Sequence, residues 1–78
     1  MSLSYPIQGG FPVTPSDTAD LAQMARGLFV GVAGNVKITY ADGTTDTLTN
    51  LVAGVWHPMY VKRVYSTGTT ATDIHGGI

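Results

Sequence analysis

Residues 25–74 read ARGLFVGVAGNVKITYADGTTDTLTNLVAGVWHPMYVKRVYSTGTTATDI, and the periodicity of this stretch decides the fold. A period of two is typical of β-strands that bury one face, whereas an amphipathic helix has a period near 3.6. Apolar side chains recur at every second position in two successive runs: Leu28, Val30 and Val32, then Val36, Ile38 and Tyr40. The stretch is therefore predicted to form β-strands.

Two dipeptides inside the stretch predict tight turns. Gly34-Asn35 suits a type II′ turn that would pair the strands on either side of it as a hairpin. Asp42-Gly43 is a strong signal for a type I′ turn, because both central residues of that turn must accept positive φ. Together they predict consecutive hairpins.

Further strands are expected on the carboxyl-terminal side of these turns. A threonine-rich strand is predicted over residues 44–51, and a longer run of β-formers over 55–66 is interrupted by Pro58. A last short strand is expected at 71–74. Five or six short strands at even spacing predict an all-β protein, a small antiparallel β-sandwich or barrel of jelly-roll type.

Residues 1–24 differ in composition from the rest of the chain. Proline fixes φ and removes a ladder donor, so this segment is predicted to be an extended arm, with a possible short helix over 16–24. A disordered leader is the alternative. Residues 25–78 are predicted to form a single β domain. Residues 1–24 hold three of the four prolines of the chain, Pro6, Pro12 and Pro15.

The small size of the chain predicts self-association. A 78-residue domain buries only about 60% of its unfolded surface, and domains of this size usually add disulfides, a metal or a partner subunit. The chain has no cysteine and two histidines, so we expect a partner. No run of about 18 apolar residues and no signal peptide is evident, so we expect no membrane contact and synthesis in a cytoplasm.

The sequence does not favour an enzyme. It has no cysteine nucleophile and no glutamate, and its histidines, His57 and His75, are too far apart for a short ligand pair. We therefore assign no catalytic residue, no cofactor and no metal ligand.

A small β-barrel that binds a nucleic acid or a glycan is the alternative function. Trp56, Tyr60 and Tyr65 interleave with Lys62 and Arg63, as on the strand face of a nucleic-acid-binding barrel. However, Lys62 and Arg63 are adjacent on a strand and would point to opposite faces, so they would not form one basic patch. The net charge of −1 also provides little attraction for the phosphates of a nucleic acid. We therefore expect no nucleic-acid partner.

The same run is better suited to a protein interface, because Trp, Tyr, Met and Arg are enriched in interface cores. Strict alternation would place Met59, Val61, Arg63 and Tyr65 on one face of the strand. The apolar residues of the arm are candidates for contacts with a neighbouring subunit. The full set of interface candidates is Tyr5, Ile7, Phe11, Val13, Trp56, Met59, Tyr60, Arg63 and Tyr65.

The segments ARGLFVGVAGNVKITYADGTT and GVWHPMYVKRVYSTGTTATDI resemble, in their order of motifs, small head spike base or capsid decoration proteins of tailed phages and gene transfer agents. The resemblance implies a structural virion protein on the capsid surface, assembled in the host cytoplasm. It implies a homo-oligomer, a trimer or a pentamer, that contacts the major capsid protein and, as a spike base, a spike fibre protein. It carries no catalytic residue.

Overall fold

The computed structural model describes residues 7–78, which form six β-strands. All strand pairs are antiparallel, which confirms the predicted all-β class. Across the described residues, no helix is long and apolar enough to cross a membrane. In chain order the strands are β1 (Gly10–Pro12), β2 (Ala25–Val32), β3 (Gly34–Tyr40), β4 (Thr45–Leu51), β5 (Trp56–Val64) and β6 (Thr72–Gly77).

The strands form one sheet in the order β1-β6-β2-β5-β3-β4. Strand β5 joins its two halves, because its first residues pair with β2 and its last residues pair with β3. Val61 is paired with Ala25 of β2 and with Tyr40 of β3. We call β1, β6, β2 and the start of β5 the first half-sheet, and the end of β5, β3 and β4 the second half-sheet.

The two half-sheets enclose one hydrophobic core. Leu28 and Val30 of the first half and Val36 and Ile38 of the second are completely buried, and a single flat sheet would leave such side chains open on one side. The sheet therefore bends around the core, as in a small sandwich or a partly open barrel. The core side chains are all aliphatic: Val13, Ala25, Leu28, Val30, Val36, Ile38, Val61, Val64, Ala71 and Ile74.

The predicted type II′ hairpin at Gly34-Asn35 is wrong. Strands β2 and β3 are not neighbours in the sheet, and both residues lie at the start of β3. The backbone carbonyl of Asn35 accepts hydrogen bonds from the amides of Thr70 and Ala71. A Cβ on Gly34 would lie 2.6 Å from the Ala71 nitrogen, so this glycine permits the close approach of the β5–β6 loop.

The hairpin at Asp42-Gly43 is present, but its turn type differs from the prediction. Gly43 has φ of 95°, whereas Asp42 is not among the residues with positive φ. The Gly43 amide donates to the Tyr40 carbonyl and the Tyr40 amide donates to Thr44, which is the pattern of a type I turn followed by a glycine bulge. The Asp42 carboxylate accepts bonds from the amide and hydroxyl of Thr44, and these bonds lower its pKa.

A bulge in β5 overturns the predicted sharing of one face by Met59, Val61, Arg63 and Tyr65. Thr39 pairs with Arg63 while the next residue, Tyr40, pairs with Val61, so Lys62 is an extra residue on β5. As a result, Val61 and Val64 both point into the core although three positions separate them. Arg63 therefore lies on the opposite side of the sheet from Val61.

The described part of the predicted arm lies along its own chain. The amides of Gln8 and Gly9 donate to the carbonyl of Ile78, and the amide of Val13 donates to that of Ile74. This pairing makes β1 an edge strand of the sheet. Residues 16–24 contain no helix, although the Ser16 hydroxyl accepts bonds from two amides as a helix cap would.

We predict that Gly43→Val lowers the free energy of unfolding by about 1 to 3 kcal/mol, because a β-branched side chain is forced to positive φ. A Cβ at this position meets nothing within 4 Å, so the cost arises from the backbone alone. Gly43→Asn is the matched control, since asparagine tolerates this region better. Chemical denaturation measures both, and equal midpoints for the two variants would contradict the assignment.

Candidate interaction surface

The described aromatic residues all lie outside the buried core. Three aromatic rings form a row across the outer surface of the first half-sheet, where Phe29 of β2 is paired with Trp56 of β5 and with His75 of β6. The Phe29 ring centroid lies 5.4 Å from that of Trp56 and 6.1 Å from that of His75. We call this outer surface the aromatic face.

A strip of glycines runs beside the aromatic row. Gly10 of β1 pairs with Gly77 of β6, and Gly77 pairs with Gly27 of β2. A Cβ on Gly77 would lie 2.9 Å from the Trp56 indole and 2.8 Å from the Ile7 side chain. The strip therefore leaves the space in which these two side chains lie flat against the sheet.

The aromatic face presents apolar area to solvent. Trp56 is 42% exposed and Tyr60 is 64% exposed, although both are large hydrophobic residues. Pro58 lies between them on the same side of β5 and is also exposed. The row formed by Phe29, Trp56 and His75 contains no Asp, Glu, Lys or Arg side chain, and the nearest carboxylate on this side of β2 and β6 is that of Asp73, which lies over Gly31. A neighbouring protein could therefore cover the aromatic row itself without desolvating an ionised group.

The outer surface of the second half-sheet has a different chemistry. The Tyr65 ring lies between two cations, with Lys37 Nζ at 5.0 Å and the Arg63 guanidinium carbon at 5.6 Å from its centroid. The Thr39 hydroxyl donates to the Tyr65 oxygen at 3.0 Å. Hydrogen bonds from Thr39, then from Thr45, lower the pKa of Tyr65.

Two aspartates hold the amino-terminal segment against this part of the chain. Asp20 forms a 2.8 Å ion pair with Arg63, and this hydrogen bond raises the pKa of the guanidinium. The carboxylate of Asp17 accepts bonds from the amides of Ser66 and Thr67 and from the Thr67 hydroxyl. These bonds, led by those from Thr67, lower the pKa of Asp17.

The structure divides the predicted interface residues into groups. Ile7, Trp56 and Tyr60 lie on the aromatic face. Phe11 and Met59 instead pack against the core, and Val13 is 8% exposed, so these three stabilise the chain itself.

The remaining predicted residues do not join the aromatic face. Arg63 and Tyr65 form the polar cluster of the second half-sheet, and Tyr5 lies outside the described residues. Sequence reasoning missed Phe29, His75 and the glycine strip. The outward position of Phe29 in the alternating run of β2 was a sequence signal for a surface aromatic residue. The pairing of β2 with β6, which brings His75 beside Phe29, could not be predicted from the spacing of residues.

The described side chains give little support to the nucleic-acid alternative. Arg63 is engaged by Asp20, and the neighbouring Lys62 belongs to the bulge of β5. Across residues 7–78, no group of three or more His, Cys, Asp or Glu side chains is placed to hold a metal ion.

One comparison with known proteins identifies a relative of this chain. No protein-family model and no curated protein matches. Among solved structures, a chain in the capsid of a native GTA (gene transfer agent) particle, computed with C5 symmetry, is 35% identical with a TM-score of 0.83. The match covers 99% of this chain and 92% of the other. The expectation of a non-enzymatic protein agrees with this match, since the relative belongs to a capsid.

We predict that Trp56→Ala weakens association with a partner subunit by about 30-fold or more, the effect of an interface residue worth about 2 kcal/mol. Val52→Ala is the matched control, because Val52 is 61% exposed and lies in the β4–β5 loop rather than on the aromatic face. Sedimentation across a concentration series measures both variants. An unchanged dissociation constant for Trp56→Ala would exclude the aromatic face from the interface.

Proposed function

This chain belongs to the same family as a chain of the GTA capsid and is a virion structural protein; we propose that it acts as a capsid decoration (cement) protein or as the base of a head spike. The observation that carries this proposal is the similarity over almost the whole of both chains. A shared fold alone would leave the function open, but 35% identity along the full length indicates common descent.

The aromatic face supports a role in assembly. Aromatic side chains are enriched at protein interfaces, and here none of those described is fully buried in the core. Large exposed apolar residues on a small protein mark a surface that a partner covers. We assign this face to contacts between copies of the chain or to the capsid surface.

We further propose that the protein assembles as a closed ring of three or five copies. The capsid of the relative was computed with C5 symmetry, and positions around such an axis are equivalent in sets of five. A ring on that axis would contact the major capsid protein below and could hold a spike fibre protein above. Its location would then be the outer surface of the virion, assembled in the host cytoplasm.

Cryo-electron microscopy of intact particles tests this function. We expect density for the chain on the outside of the shell, at a symmetry position, with Trp56 buried in a contact. Particles assembled with the Trp56→Ala chain should show reduced occupancy, while particles with the Val52→Ala chain should match the wild type. Absence of the chain from purified particles, or a position inside the shell, would contradict the proposal.

A further inference from the structure

The two edges of the sheet, formed by β1 and β4, differ in their capacity to accept another strand. An edge strand presents unpaired backbone amides and carbonyls, which is a template for strand addition by another chain. Proteins commonly protect such edges with proline, lysine or bulges. The hydrogen bonds of the neighbouring strands show which backbone groups point outward at each edge.

Within residues 7–78 no strand pairs with the outer edge of β4, which presents complete pairs of backbone amides and carbonyls. The amide of Lys37 donates to the Thr69 hydroxyl and its carbonyl accepts the amide of Tyr65, so both groups point away from β4. Lys37 is paired with Thr47 of β4. Because the two residues of such a pair do not bond to each other, the amide and carbonyl of Thr47 face the outer edge of the sheet. The same alternation applies at Thr45, which is paired with Thr39.

Strand β1 is protected at the corresponding position. The amides of Gly9 and Val13 point inward, toward Ile78 and Ile74 respectively. By alternation the outward-facing positions of this strand are Gly10 and Pro12, and proline has no amide to donate. Strand β1 thus lacks an outward donor at Pro12, its last residue. Strand β4 contains no proline, lysine or arginine, and its bulge lies near its carboxyl end, between Leu48 and Leu51, so residues 45–48 keep regular pairing with β3.

We propose that β4 is a strand-addition site that takes an extended segment of the capsid shell protein as a seventh, edge strand. This inference rests on the proposed function. A second copy of the chain is a poor occupant, because pairing of β4 with β4 has two-fold symmetry and cannot build a ring of three or five. Pairing of β4 with β1 would meet Pro12, which lacks the required donor.

The side chains of β4 define the chemistry of the incoming segment. Leu48 and Leu51 are half-buried and pack against the core, so apolar residues on the same side of the added strand would complete their burial. Thr45, Thr47 and Thr49 are exposed and suit hydroxyl or other uncharged polar neighbours. We therefore expect an extended segment of alternating apolar and polar residues without proline.

Thr47→Pro is the variant that tests the site. It removes an amide that faces outward, and a proline on a free edge leaves the β3–β4 ladder intact. The preceding residue, Asp46, already has the extended backbone that a following proline requires. We expect occupancy on particles to fall about tenfold or more, while Thr47→Val, which keeps the amide, decorates normally. Thermal melting of each free protein checks that both variants fold.

Hydrogen exchange and imaging on assembled particles supply a second readout that does not depend on the variant. The amides of Thr45 and Thr47 should exchange rapidly in the free protein and become protected on particles, whereas that of Asp46 should be protected in both. The particle map should show a shell-protein strand beside β4. A bare β4 edge, a strand from another copy, or full occupancy by folded Thr47→Pro protein would overturn this inference alone. Absence of the chain from particles would overturn the proposed function with it.

Discussion

Strand β5 pairs with both β2 and β3, and this double pairing holds the two half-sheets together around the core. Val61 is where the two pairings meet, and it is completely buried. The bulge at Lys62 lets both Val61 and Val64 point inward, so the sheet can bend there without losing a core side chain. Substitutions that remove this bend would separate the two half-sheets and open the core between them.

An aliphatic core has a direct consequence for the surface. The chain exposes 4347 Å², close to the roughly 4,500 Å² expected for a globular protein of 8.2 kDa. Trp56 and Tyr60 are therefore exposed on a chain that is already compact. The glycine strip fixes Trp56 and Ile7 against the sheet, which prepares a flat apolar surface before any partner arrives. Packing within the chain thus creates the surface that we propose as an assembly contact.

The two outer surfaces and the β4 edge suggest a division of contacts. The row of Phe29, Trp56 and His75 contains no Asp, Glu, Lys or Arg side chain, whereas the second half-sheet carries the Lys37, Tyr65 and Arg63 cluster. The polar cluster is satisfied within the chain through Asp20 and Thr39. The proposed contacts through apolar area and the proposed contacts through backbone pairing would then lie on different parts of the molecule, so the chain could bind two kinds of neighbour at once.

Sequence periodicity predicted the strands well because alternation reports which face of a strand is buried. The strands around Val30 and Ile38 follow from it, whereas the position of the Gly43 hairpin follows from the Asp42-Gly43 dipeptide. Strand order could not be predicted, since the connection between β2 and β3 is as short as that of a hairpin although the two strands lie apart.

The aromatic face could be predicted only in part for the same reason. Trp56 and Tyr60 were recognisable by residue type, but Phe29 and His75 join them only through long-range pairing. Part of the segment predicted as an arm forms the edge strand β1, Gly10–Pro12. The apolar side chains of its described residues contact the chain itself, however, because the glycines of β6 make room for them.

We have proposed that the protein assembles as a closed ring of three or five copies. The mass of the native protein in solution tests that claim most directly, by light scattering on a size-exclusion peak at micromolar concentration. We expect a single species with three or five times the 8.2 kDa of one chain. A monodisperse, cooperatively folded monomer of 8.2 kDa would contradict it.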